Sequence, residues 1–503
     1  MVIIDDKLTQ SSRLSRYSCS TCRHQKKKCD RRQPQCSLCQ RYDRVCVYKN
    51  TRNSLVLGTS PESLSGALST TPTKVQRDQN GFPAVYFTDS ALFWRSVGSL
   101  PDANLPISPD LLSLVEDVAT VRKFTEAFFR YNYPWAPFIC RRNFMERILN
   151  PLSGRRCENV LLIAAIKLIT TEPDANASST MYCSLKRSFL EVELSGSLTF
   201  RTLQALVLVA IYELGQAIYP SAYLTVGYCA RYGIALGIDR TIDSLYSSKL
   251  DGSEEERRTW WTIILLDRYL NVGCPERALL IEEPRNTSVL PMDDKLWQMG
   301  YPPPNPPLVM SSPPTEAMGR FCLTVQAAYL LGKVLRYTGP QESGHRILEH
   351  EARILDNTIA ALTKVTLQES VKRGIKVCCP TTICHSARLI LNQEMAWIDR
   401  HNSLLETDIV VEVQRITAAD MLSLSRYILR TGLSGNDDIS PFCHDALYRS
   451  AIVYSQILQK SGSEDAKNAI HDIKQSLRVN SHRWKAAATY LQLLDARDVT
   501  GIL

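Results

Sequence analysis

Cys19-Ser20-Thr21-Cys22, six residues, Cys29; then, after six more, Cys36-Ser37-Leu38-Cys39, six residues, Cys46: the spacing of two and then six residues occurs twice within one short stretch. An exact internal repeat of cysteines implies an object with pseudo-two-fold symmetry. Zinc takes four tetrahedral ligands and accepts thiolate. One zinc leaves two of the six cysteines unused. Two zincs need eight ligand positions from six sulfurs, which closes only if two thiolates bridge both metals. The repeat therefore favours a binuclear cluster with Cys19, Cys22, Cys29, Cys36, Cys39 and Cys46 as metal ligands and two Zn²⁺ as cofactors. The C-x2-C spacing brings two sulfurs to one metal from a single turn, and the six residues that follow leave room for a short helix.

Charge points the same way. Residues 1–50 hold twelve Lys and Arg against four Asp and Glu, so this tenth of the chain accounts for the whole formal charge of +8 and the remainder is neutral. Between the ligands lie Arg23, Lys26, Lys27, Lys28, Arg31 and Arg32. Six thiolates and two Zn²⁺ remove two charges from this segment and leave about +4 on a very small module. A basic module on a neutral body is the footprint of polyanion binding. A short helix with cations at its end suits the major groove, where cations hold phosphates and one long side chain reaches guanine O6 and N7. Lys26–Lys28 with Arg31 and Arg32 also suit nuclear import, a role not separable from DNA contact here.

The segment resembles the fungal six-cysteine binuclear zinc cluster transcription factors, whose pattern is C-x2-C-R-x-[RK]-K-x-K-C-[DS], a loop with Pro, then C-x2-C-x6-C-x-Y. The matching residues are Cys19, Cys22, Arg23, Lys26, Lys28, Cys29, Asp30, Pro34, Cys36, Cys39, Cys46 and Tyr48. The resemblance implies that Cys19 and Cys36 are the bridging thiolates, that Lys26 reads the guanines of a CGG-type triplet, and that Arg23 and Lys28 hold phosphates. Gln25 departs from the pattern, which usually has Arg or Lys there, and the expected consequence is one phosphate contact fewer.

Beyond the cysteines, residues 51–80 are rich in Ser, Thr, Gly and Pro and read as a flexible linker. Leu57, Leu64 and Leu68 hint at a coiled-coil seam, but Gly58, Pro61 and Gly66 interrupt it. From about Pro83 the pattern becomes helical. Val118, Val121, Phe124, Phe128 and Phe129 recur at helical spacing, as do Leu161, Leu162, Ala165, Ile166 and Ile169. Leu203–Leu214 is apolar nearly all round, as a central buried helix should be. Further helices are expected over 222–236, starting after Pro220, and over 254–270, 317–335, 349–365, 384–400, 410–429, 446–460 and 466–493. Pro302–Pro307 is a loop. The expected fold is mostly α: a binuclear zinc cluster module over 15–50, a linker over 51–82, and a large all-α regulatory domain over 83–503.

The body is also similar to that family's middle homology region over roughly 110–300. The stretches that carry this are Tyr133-Pro-Trp-Ala-Pro-Phe138, Leu203–Gly215, Ala230–Gly237, and Glu255-Glu-Arg-Arg-Thr-Trp-Trp261 with Asp267-Arg268. The resemblance implies a regulatory domain on which a ligand or partner acts.

Other features have plainer readings. Trp260 and Trp261 are expected as core anchors of a helix pair rather than the lining of an effector pocket. Arg257, Arg258, Asp267 and Arg268 are expected as a solvated or structural ion-pair face. Cys378, Cys379, Cys384 and His385 fit no common zinc spacing. Cys443-His444-Asp445 is too contiguous to form a catalytic group.

No phosphate-binding glycine loop, HExxH or GxSxG is present, and nothing points to an enzyme. The first six residues are too short and acidic for a signal peptide, and no apolar run approaches the roughly 20 residues of a membrane span. The expected protein is a nuclear, zinc-dependent, sequence-specific regulator of RNA polymerase II transcription, governing a metabolic or secondary-metabolite gene set. Its partners are double-stranded DNA with CGG-type sites and the transcription machinery, with room for a homodimer and a small-molecule effector, and no membrane. The alternative is a protein-interaction scaffold that the zinc module anchors to nucleic acid without sequence choice.

Overall fold

The computed structural model describes residues 15, 17–24, 27–32, 35–42, 46, 84–96, 107–115, 117–149, 156–172, 177–243, 250–315, 318–339, 349–374, 379–402, 407–431 and 439–500. The chain divides into two compact units, residues 1–73 and 74–503. The expected linker and the Leu57, Leu64 and Leu68 seam lie outside the described residues.

Among its described residues unit one has two single-turn helices, α1 (Ser20–His24) and α2 (Ser37–Arg41), one at each C-x2-C start. Its core is made of cysteines. Cys19, Cys22, Cys36 and Cys39 are buried, with Cys29 and Cys46 packed against them. No apolar core of ordinary kind can form from so few residues, so the sulfurs are what the fold is built around.

Unit two is helical. Its longer elements are α3 (Val118–Ala127), α4 (Cys157–Thr170), α5 (Ala177–Leu194), α6 (Phe200–Gly215), α7 (Ser221–Leu236), α8 (Leu250–Tyr269), the short α9 (Asp294–Gln298), α10 (Arg320–Thr338), α11 (Glu349–Lys372), α12 (Cys379–Asn402), α13 (Thr407–Thr431), α14 (His444–Ser461), α15 (Glu464–Asn480) and α16 (Lys485–Thr500). Among the described residues the only β pairing in this unit is an isolated bridge between Val289 and Val309. No described helix is long and apolar enough to cross a membrane.

Helix α6 is the axis of the main core. Every residue from Thr202 to Gly215 is buried, and α4 and α7 pack along it. Each buried Leu, Val or Ile there contributes roughly 1.5–3 kcal/mol. Its two polar interruptions have partners: Gln204 donates to Phe138 O and Glu255, and Glu213 accepts from Tyr182 and Lys186 through Oε1, while its Oε2 is buried with no hydrogen bond among the described residues. Local signals set the ends. The Thr199 hydroxyl accepts from Thr202 N at the start of α6. Gly237, at φ +76°, closes α7 with its N–H on Gly233 and Ile234 carbonyls. A second, smaller core joins α13, α14, α15 and α16 around Ile428, Leu447, Ile473 and Leu477.

Two expectations are corrected. The run 466–493 is not one helix: it breaks at Ser481–Trp484, where Trp484 is buried and its indole N–H donates to Ile439 O. Tertiary anchoring of that indole overrides the periodic pattern. Val118 is half exposed, because it follows the cap residue Asp117 at the very start of α3, while Val121, Phe128 and Phe129 face the core.

Candidate metal centre and nucleic-acid interface

The sulfurs of unit one converge. Cys19 Sγ lies 3.8 Å from Cys36 Sγ and 3.7 Å from Cys39 Sγ, and Cys22 Sγ lies 3.7 and 3.9 Å from the same pair. Zinc–sulfur bonds of about 2.3 Å in a tetrahedron put ligand sulfurs about 3.8 Å apart. The hole thus has the size and donor chemistry of a zinc site. Cys36 N–H donates to Cys46 Sγ at 3.2 Å, and the Cys46 sulfur is also beside those of Cys19, Cys36 and Cys39. Cys29 Sγ is within 4.8 Å of Cys36 Sγ. All six cysteines are therefore drawn into one cluster, and the donor set fits two Zn²⁺.

The two halves repeat in detail. Cys22 N–H donates to Cys19 Sγ and Cys39 N–H to Cys36 Sγ, each at 3.4 Å. Burial works against every thiolate here. These amide bonds and neighbouring thiols outweigh it at Cys19, which falls below an ordinary thiol, and at Cys36, which falls to about 6. At Cys39 burial and the Cys36 thiol push the other way, up to about 12, and Cys22 rises as well.

Asp30, which the sequence pattern includes without a role, joins the halves. The Asp30 carboxylate accepts from Ser37 N at 3.1 Å and Ser37 Oγ at 2.5 Å, which fixes the start of α2 to the chain leaving Cys29. The Ser37 hydrogen bond, ahead of the Arg32 charge, holds the Asp30 carboxyl below its ordinary range. The signal was available: an acid directly after the third cysteine and a serine directly after the fourth.

The basic residues face outward. Arg23, Lys27, Lys28, Arg31 and Arg32 are all exposed. Arg32 is 3.7 Å from Asp30 in a solvent-facing pair that holds it only weakly. Lys26, the expected base reader, lies outside the described residues. With Arg41, also exposed, the cysteine-cored module carries six described cations on its surface and can grip a polyanion.

In unit two the ion-pair residues are buried, not solvated. Arg258 has no exposed surface. It binds Glu254 at 2.8 Å, Asp294 at 2.7 Å, and the carbonyls of Pro137 and Met292, with its guanidinium over the Trp297 ring. Asp267 and Arg268 pair with each other and hold the 280–282 backbone. Trp260 and Trp261 are buried, and Trp261 Nε1 donates to Val289 O. Cys378 lies outside the described residues. Cys379, Cys384 and His385 are buried but do not gather as a metal-ligand group among the described residues. Cys443, His444 and Asp445 are buried, and Asp445 pairs with Arg449.

Residues 17–54 match the fungal Zn(2)-Cys(6) binuclear cluster domain, and residues 125–335 match the fungal specific transcription factor domain. The chain is 31% identical over 156 residues to transcription factor BOA15 of Botryotinia fuckeliana, covering 30% of this chain and 85% of that one. It is 23% identical to the pigment biosynthesis transcriptional activator pigB of Monascus ruber, over 99% of this chain and 97% of the relative. It is 24% identical to the azaphilone cluster-specific transcription factor azaR of Aspergillus niger, over 57% of this chain and 63% of the relative.

Proposed function

Because the chain belongs to the fungal Zn(2)-Cys(6) binuclear cluster transcription factors, we propose that it is a nuclear, pathway-specific activator or repressor of a biosynthetic gene set that reads CGG-type triplets. The observation that carries this reading is the six-sulfur cluster with its outward cations. Relatives named for pigment and azaphilone regulation, the first matched over nearly the whole of both chains and the second over 57% of this one, support the pathway assignment.

The ligand partition is the one the family resemblance implies: Cys19 and Cys36 would be the bridging thiolates, with Cys22, Cys29, Cys39 and Cys46 as the remaining ligands. Bound zinc supplies a rigid crosslink in place of an apolar core. The protein's own side chains do the recognition: Arg23, Lys27, Lys28, Arg31 and Arg32 hold phosphates and fix the register of the module on the duplex, and Lys26, two residues after α1 in the sequence, is assigned to the guanine edge. Domain boundaries of 15–50 for the cluster, 51–82 for the linker and 83–503 for the regulatory domain accompany this reading, with a second copy of the chain and the transcription machinery as partners of the latter.

The test is selection from random duplex DNA by full-length protein, with zinc and with a chelator. Zinc-dependent enrichment of CGG-type triplets is expected, with affinity falling steeply as salt rises because several phosphates are neutralised. Salt-sensitive binding to every sequence without enrichment would replace this reading with the scaffold.

A further inference from the structure

The proline run from Pro302 to Pro307 lies in unit two and is held at both ends. At its head Tyr301 N–H donates to Leu296 O at 3.0 Å and Gly300 N–H to Trp297 O at 2.9 Å, which ties it to α9. Gly300 turns the chain there at φ +78°. At its tail Leu290 N–H donates to Leu308 O and Met310 N–H to Ser288 O, each at 2.8 Å, on either side of the Val289–Val309 bridge.

Residue types fix the backbone between these clamps. Each proline holds φ at about −65°, and a residue that precedes proline is kept out of the helical region. Tyr301, Pro302 and Pro303 all precede a proline, so they take the polyproline II conformation, with three residues per turn and no internal hydrogen bonds. Residues 301–304 are neither helix nor strand, and the first bend comes at Asn305. Exposure follows the period of three. Tyr301 and Pro304 are exposed on one face and Pro302 on the second, while Pro303 is half-buried on the third, beside a small cavity that Trp297 and Met292 also line. Leu296 and Met299, both exposed, extend the apolar surface at the head. The acids at the start of α9 are engaged, Asp293 with Arg373 and Asp294 with Arg258, so the charge that α9 presents beside the segment is that of the exposed Lys295.

We propose that Tyr301–Pro304 is the docking segment for a proline-reading domain of a partner protein, a groove of aromatic side chains with an acidic rim. The rings of Tyr301, Pro302 and Pro304 seat between the aromatic side chains of the groove, and the proline carbonyls accept from its indole or phenol donors. Lys295 meets the acidic rim. Two faces of the segment serve the partner and the third rests on the body. A partner that adds a β-strand does not fit, because the prolines have no N–H to donate. With both ends clamped and the backbone preset, docking orders little chain. It does not depend on which bases unit one reads.

The probe is an array of the purified SH3, WW and EVH1 domains encoded by the same genome, screened with full-length zinc-loaded protein, and the strongest binder is then titrated. The expected result is saturable one-to-one binding by a domain whose aromatic groove has an acidic rim. Tyr301→Ala and Pro302→Ala each weaken it about tenfold, the scale of an interface anchor, and Lys295→Glu weakens it as well. Pro303→Ala faces the body and still precedes a proline, so it stays extended and leaves affinity within about twofold. Far-UV circular dichroism and zinc-dependent DNA binding of the same variants stay as in the parent protein, which separates loss of docking from loss of the fold or of DNA reading. The proposal is overturned if no domain binds, if Pro302→Ala or Lys295→Glu leaves binding intact, or if Pro303→Ala weakens it as much as Pro302→Ala.

Discussion

His444 opens α14 with no exposed surface, and neither ring nitrogen has a hydrogen-bond partner among the described residues. Burial alone drives its pKa down to about 3, and burial aided by the Arg388 charge drives His385 to about 4. The native chain therefore refuses protons that the unfolded chain, with imidazoles near 6.5, accepts. Stability contributed this way is complete above pH 6.5 and is lost as the pH falls from 6.5 towards the folded values. The rate is about 1.4 kcal/mol per pH unit for each histidine. In urea denaturation between pH 6.5 and 4.5, His444→Leu is expected to flatten the decline by about that amount per unit; parallel profiles for the two proteins would contradict it. At this scale the cysteines were readable because metal geometry ties ligand type to spacing. Arg258 was readable as charged but not as buried, because its partners Asp294, Met292 and Pro137 are 36, 34 and 121 residues away. Asp30 carries the same lesson over seven residues.

Elements were legible where one face is continuously apolar. The run 203–214 resolves into α6, and Pro220 and Gly237 mark the ends of α7. The sequence reading passes over α5, although Leu185, Phe189 and Val192 bury one stripe of it; Ser184 and Ser188 dilute the pattern. It also runs α15 and α16 together, because nothing local announces that Trp484 turns inward. That indole packs on the end of α6, where a Cβ on Gly215 would fall 2.2 Å from Trp484 Cε3. On an open helix Gly→Ala stabilises by up to about 1 kcal/mol. Here Gly215→Ala is expected to destabilise by about 1–3 kcal/mol, the cost of overpacking, as a lowered urea midpoint. A raised midpoint would show that the α6–Trp484 contact is loose.

The whole molecule has two units with different sources of stability. Unit two buries a large apolar core, whereas among the described residues of unit one the buried cluster is four cysteines with Cys29, Leu38 and Cys46 packed against them. Removing zinc with a chelator is expected to unfold residues 19–46 and abolish DNA binding, because structural metal binding is the folding free energy of so small a module. The helical circular dichroism of unit two should persist; its collapse would mean that the units do not fold independently. The division into a basic cysteine module and a neutral helical body was visible in charge and composition alone, since both are sums over residues. The central claim, that unit one reads bases and does not merely grip phosphate, is tested most directly by Lys26→Ala. Binding of the full-length variant is measured on a duplex with CGG-type triplets and on one of scrambled sequence at the same salt concentration. The account predicts a loss of about 1–3 kcal/mol on the triplet duplex with little change on the scrambled one. An equal loss on both would contradict it and leave a scaffold held to nucleic acid by charge.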